Sequence, residues 1–108
     1  MSVRTTALTL VALGASVVIG APGVAMAQDA HLARNLAATC ANCHGTNGQA
    51  LGDMKTLAGV PADTIISMMA GFKSGAQPAT IMHQIAKGYT DDQIKLVAAY
   101  FAAQPAKK

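Results

Sequence analysis

Cys40-Ala41-Asn42-Cys43-His44 places the only two cysteines of the chain three positions apart, with a histidine directly after the second. Two thiols at that spacing have few uses. A disulfide here would close a four-residue loop and remove little chain entropy. A thioredoxin-like redox pair sits in a βαβ pattern, and none surrounds this one. A structural zinc ion needs four ligands, whereas the chain adds only His31, His44 and His83, widely spread, to its two thiols. C-x-x-C-H is instead the attachment sequence for c-type haem. The two thiols add across the vinyl groups of the porphyrin and clamp one edge of the ring. The adjacent histidine is then held beneath the iron and supplies the proximal imidazole. On this reading Cys40 and Cys43 bind one covalent haem c, His44 ligates its metal, and the fold must be built around that ring.

A central cofactor also accounts for the composition. The 108 residues give room for one domain and are 52% hydrophobic, yet only 4% are aromatic and 12% charged. The rings are Phe72, Tyr89, Tyr100 and Phe101. Disorder, a collagen-like repeat and an acidic solvating tail are excluded, but so short a chain with few bulky side chains has little from which to make a core.

Part of the apolar content belongs to the front of the chain. Arg4 precedes an apolar run from Thr5 to Ala21, Pro22 and Gly23 break any helix, and Ala25-Met26-Ala27 offers small residues where signal peptidase reads them. The run is shorter than the roughly 20 residues of a membrane-spanning helix and no stop-transfer charges follow it. Residues 1–27 are therefore expected to be a signal peptide, leaving a monohaem domain of residues 28–108 that starts at Gln28. Export to the periplasm suits c-type haem, and no stable membrane insertion is expected after cleavage. Without Arg4 the chain has seven basic and five acidic residues, a net charge of +2. That mild balance, with no Lys/Arg block, makes nucleic acid an unsuitable partner.

The rest reads as all-α, about four short helices joined by Gly-rich loops. Asp29 is expected to cap a helix carrying Leu32, Leu36, Cys40 and Cys43 on one stripe, ending at Gly45-Thr46-Asn47-Gly48. Residues 45–60 form an ordered loop. Pro61 opens a second helix that gathers Ile65, Met68, Met69 and Phe72 before Gly75. A third runs from about Ala79 to Lys87 and stops at Gly88. Thr90 and Gln93 form a capping box for the last, whose inward stripe is Ile94, Val97, Ala98 and Phe101. Pro105 and the terminal lysines are expected to fray.

The second face of a haem iron needs a ligand or a reason to lack one. Met68 and Met69 sit among aliphatic residues and suit pocket packing, Met54 suits loop packing, and His31 suits solvent. Met82 and His83 are the principal rivals. Helical neighbours point about 100° apart, so only one of them can face the iron. Met82 shares a face with Ile85 and Ala86, which suits an inward thioether, whereas His83 shares its face with Lys87 and fits a solvent-facing position, so Met82 is preferred as the metal ligand. Another methionine or an open site remains as the alternative.

With CANCHGTNG, a methionine downstream and a final amphipathic helix, the chain resembles the class I c-type cytochromes. LAGVPAD (57–63), FKSG (72–75) and PATIMHQIAKGYTDDQIKLVAAYFAAQ (78–104) are most similar to the small cytochrome subunit of flavocytochrome c sulfide dehydrogenases. The resemblance implies thioethers at Cys40 and Cys43, His44 as proximal and Met82 as distal ligand. Relatives often place a proline at the position of Lys55, where its carbonyl accepts the proximal imidazole N–H; the Lys55 carbonyl can do the same. Relatives also tend to have a basic residue where this chain has Gln77.

The implied function is periplasmic one-electron transfer, either as the haem subunit of a sulfide-oxidising flavoprotein or as a free soluble carrier. The partners are redox proteins, a flavoprotein subunit among them. Lys55, Lys73 and Lys87 are candidates for steering an acidic partner. A haem-based sensor of small ligands is the alternative from a different class, and an autonomous peroxidase has no acid/base pair to support it.

Overall fold

The computed structural model describes residues 23–106, with side chains described from Asp29 onward. Most of the expected signal peptide, residues 1–22, lies outside the described residues. The described chain forms helices α1 (Gly23–Ala38), α2 (Ala41–His44), α3 (Ala62–Ser74), α4 (Met82–Lys87) and α5 (Asp91–Ala102), with a 3-10 turn at Thr46–Gly48. No strand occurs among the described residues.

Helix α5 is the centre of the assembly. Its N-terminus carries the expected capping box: the Gln93 N–H donates to Thr90 Oγ1 at 3.2 Å and the Thr90 N–H to Gln93 Oε1 at 2.9 Å. Ile94, Val97, Ala98 and Phe101 are all buried, as the 3.6-residue period requires. α1 packs on α5, and α3 packs on both α4 and α5. Helix α3 has the bounds that Pro61 and Gly75 imply, with Gly75 in the left-handed region at φ 81° closing the last turn.

Helix α1 departs from the sequence expectation in three ways. It begins at Gly23, so Asp29 is an exposed mid-helix residue and no cap. Between Gly23 and Asp29 the sequence Val-Ala-Met-Ala-Gln contains no breaker, so an established helix propagates through it. The inward stripe is Ala33 and Ala37 with half-buried Leu36, while Leu32 is 47% exposed. Small side chains allow α1 to lie close against Val97, Ala98 and Phe101, which a leucine in the same place would hold apart. Finally, the helix does not run on through the cysteines. A turn at Thr39–Cys40, in which the Cys40 N–H donates to the Ala37 carbonyl at 3.1 Å, separates it from α2.

The remaining departures lie at the ends of elements. α4 starts at Met82, three residues later than expected, because Ile81 lies outside the helical region at φ −134° and ψ −29° and no side chain caps the turn. β-Branched Thr80 and Ile81, following Pro78, are poor residues on which to start a helix. The chain end is docked as far as the description reaches: the Pro105 carbonyl accepts from Gln49 Nε2 at 3.5 Å.

Loop 45–60 is ordered by α5 and by its own backbone. The Gly48 carbonyl accepts from the N–H groups of Leu57 and Ala58, and the Gly59 N–H donates to the Phe101 carbonyl at 2.9 Å. The Tyr100 hydroxyl donates to Asn47 Oδ1 at 2.7 Å. Gly48 must be glycine: φ is 77°, and a Cβ there would stand 2.7 Å from the Phe101 ring and 2.8 Å from the Ala58 nitrogen.

Candidate haem-binding site

A cavity of about 520 Å³ opens between the α1–α2 junction, loop 45–60, α3, α4 and α5. Cys40, Cys43, His44 and Met82, which the sequence singled out, all line it, so the fold brings together residues 42 positions apart. Its walls are mostly apolar: Leu57, Val60, Ile65, Met68, Met69, Phe72, Ile85, Ile94, Val97 and Phe101. All four large buried side chains of the described residues, Ile65, Ile94, Val97 and Phe101, face this space.

His44 ends α2 and is held by a bond from its Nδ1 to the Lys55 carbonyl at 2.6 Å. A carbonyl oxygen accepts, so Nδ1 carries the proton. Nε2 is left with its lone pair, the tautomer that a metal needs. The Lys55 backbone carbonyl thus makes the contact expected of it. Cys40 and Cys43 are free thiols and no bridge closes between them. Burial pushes the Cys40 thiol up from its ordinary value, so at neutral pH it is a protonated, apolar wall group. Two thiols, an imidazole with a free nitrogen and an apolar cavity of this size fit a covalently attached porphyrin. Among the described residues no group of three or more His, Cys, Asp and Glu gathers to hold a bare metal ion.

Met54, Met68, Met69 and Met82 all line the cavity. Met82 is half-buried at the first position of α4, Met68 and Met69 line the cavity from α3, and Met54 is 48% exposed on its rim. His31 is exposed. His83 is a correction: it does not face solvent as its partnership with Lys87 implied. It is half-buried, and its Nδ1 is buried without a hydrogen-bond partner. It is not among the residues lining the cavity.

Lysine 73 is a second correction. Its ammonium donates to Asp91 Oδ1 and to the Tyr89 carbonyl, both at 2.9 Å, which ties the end of α3 to the start of α5. It is a fastening, and the exposed candidates for steering are Lys55 and Lys87. The hydrogen bond and charge of Lys73 hold the Asp91 carboxyl below the usual carboxylate range. A carboxyl whose folded value is depressed stabilises the fold above its unfolded value of about 3.9, and that contribution is lost as pH falls through the folded value. Asp91→Asn is accordingly expected to melt slightly earlier than the parent at neutral pH and to converge with it in acid. Thermal melts across that range measure the effect, which is small because Asp91 is fully exposed.

Two contacts that cross the site had no local sequence signal. Tyr89 and Thr39 are joined hydroxyl to hydroxyl at 2.6 Å across 50 positions, and the Lys73 clasp spans 18. Thr39, Tyr89, Thr56 and Thr80 give the cavity its few hydroxyl groups.

No family model matches the chain. It is 38% identical over 66 residues to the cytochrome subunit of sulfide dehydrogenase of Chlorobaculum tepidum, a match covering 61% of this chain and 60% of that protein. With cytochrome c-554(548) of Halomonas halodenitrificans it shares 33% identity over 82 residues, which is 72% of this chain and 99% of the relative. The chain belongs to the class I c-type cytochromes. These are electron-transfer proteins that carry covalently bound haem c. Among solved structures, the cytochrome c4 of Acidithiobacillus ferrooxidans is similar with a TM-score of 0.65 and 33% identity, covering 69% of this chain and 49% of that one. The cytochrome thus spans about half to three-fifths of the length of two of these relatives. Among its described residues no helix is long and apolar enough to cross a membrane.

Proposed function

We propose that this cytochrome is a periplasmic one-electron carrier that serves as the haem subunit of a sulfide-oxidising flavocytochrome c. In this reading Cys40 and Cys43 hold the haem as thioethers, His44 is its proximal and Met82 its distal ligand. The observation that carries it is the convergence of all four residues on one apolar cavity. Similarity to a protein named as a sulfide dehydrogenase cytochrome subunit supports the partner. Near-complete overlap with cytochrome c-554(548) favours a second reading, a free monohaem carrier.

When bound, the haem supplies a single-electron ferric/ferrous couple. The chain's own residues set its terms. The Lys55 carbonyl orients the His44 ring and raises its basicity through the Nδ1 proton. Leu57, Val60, Ile65, Phe72 and Ile94 exclude water, and a low-dielectric surround disfavours the more highly charged ferric state and so raises the potential. Lys55 at the cavity and Lys87 at the end of α4 are exposed and supply positive charge for an acidic partner. Residues 1–27 act as the export signal in this proposal. Cleavage after Ala27 leaves Asp29 in the first turn of α1, where a carboxylate is favoured by the helix dipole.

Visible spectra of the purified protein, oxidised and reduced, with and without carbon monoxide, test the electron-transfer reading. A six-coordinate, low-spin spectrum that carbon monoxide barely alters is expected; a high-spin site that binds it readily would make the protein a ligand sensor. Purification from periplasm then separates the two carrier readings. A co-purifying flavoprotein that reduces the haem with sulfide supports the subunit role, and a free monomer alone sinks it.

A further inference from the structure

The segment that carries Met82 is weakly tied to the rest of the molecule. Among the described residues, no hydrogen bond or ion pair joins residues 78–88 to another element; those of α4 are internal. The segment is fastened at its ends. On one side the Gln77 N–H donates to the Gly71 carbonyl at 3.0 Å, and on the other Tyr89 is held by both its backbone and its side chain. The Tyr89 carbonyl accepts from Lys73, and its hydroxyl meets Thr39 Oγ1 at 2.6 Å. Thr39 stands immediately before Cys40, and both Thr39 and Tyr89 line the cavity. Thr39 Oγ1 also donates to the Leu36 carbonyl at 3.1 Å. Since a hydroxyl has one proton, the phenol must be the donor to Thr39. The result is a directed chain from Tyr89 through Thr39 to α1, in which each bond polarises the next.

We propose that the Tyr89–Thr39 bond is a latch that closes the cavity by tying the distal-ligand segment to the haem-attachment segment, making both residues positioning residues for the iron's distal side. The inference rests on the reading that this segment supplies the distal ligand. Opening the latch frees α4 to swing away and let an external ligand reach the iron. The bond is worth about a fivefold factor in that opening equilibrium, as for a typical neutral hydrogen bond.

The test is imidazole binding to the ferric, haem-loaded protein, followed by visible absorption, with far-UV circular dichroism to confirm the helices. Tyr89→Phe and Thr39→Val should each raise imidazole affinity about fivefold, the double variant no more than either alone, and Thr39→Ser should stay near the parent. Unchanged affinity in Tyr89→Phe and Thr39→Val overturns the latch, as does full additivity in the double variant. A Thr39→Ser variant that behaves like Thr39→Val also overturns it, because the hydroxyl is then irrelevant. Whether Met82 itself is the ligand is judged separately, by the red absorption of Met82→Ala, so failure of the latch is distinguishable from failure of that assignment.

Discussion

A Cys40→Ala, Cys43→Ala variant isolated without haem is expected to show no cooperative thermal transition and little of the native helical signal by circular dichroism. The reason lies in what the core is made of. Of the ten buried hydrophobic residues among those described, six are alanine: Ala33, Ala37, Ala50, Ala58, Ala86 and Ala98. The four larger ones, Ile65, Ile94, Val97 and Phe101, all face the cavity. Each would lose its partner atoms on one side if nothing filled the space. At about 24 cal/mol per Å³, an enclosed void of this volume, near 520 Å³, would carry a cost on the order of 10 kcal/mol, an upper bound for a cavity open on one side. That is as large as the whole stability of a domain this size. The chain escapes by collapsing or unfolding. A sharp melt with native helicity in the haem-free variant would show that the protein shell holds itself together.

The same arithmetic explains which parts of the molecule were legible in the sequence. C-x-x-C-H announced the cofactor because covalent attachment demands that spacing and no other local arrangement does. Helix α5 was legible throughout, since its capping box at Thr90 and Gln93 and its stripe of Ile94, Val97, Ala98 and Phe101 are local patterns that the packing confirms. Helix α1 was not. Hydrophobicity ranks Leu32 above Ala33 and Ala37, but the interface with α5 selects for small size, and close approach outweighs the area that a leucine would bury. The break at Thr39–Cys40 has no glycine or proline to mark it, and the late start of α4 is a matter of Ile81 backbone geometry.

Contacts between distant positions left no trace of any kind. Lys73 read as one of three loose surface charges, yet the fold spends it on Asp91 and the Tyr89 carbonyl. Tyr89 and Thr39 were two unremarked polar residues until the topology set them 2.6 Å apart. These pairings tie α3, the α4–α5 connection and the cysteine-bearing turn around one cavity. They bear on how firmly the site stays closed, a property that neither the attachment motif nor helical periodicity encodes.

Met82→Ala is expected to abolish the sulfur-to-ferric-iron charge-transfer absorption in the red. It should also lower the midpoint potential by roughly a few hundred millivolts, within the roughly 0.8 V range that axial ligands command. Three methionines are the realistic sources of sulfur, because Met68, Met69 and Met82 all reach the cavity as half-buried side chains. Met69 packs against the Ile65–Val97–Phe101 core, so its thioether serves the wall. Met82 opens α4 directly after the non-helical Ile81, on a segment with no polar tie of its own to a neighbouring element among the described residues. A side chain at such a point can be drawn to the iron without breaking other bonds, and ligation then supplies the anchoring that α4 lacks. Met68→Ala is therefore expected to keep the red absorption, with a loss of packing of about 2 kcal/mol, the low end of the range for a buried methionine because Met68 is half-buried. If Met82→Ala kept the absorption and Met68→Ala lost it, the distal ligand would belong to α3 and the role assigned to α4 would pass to it.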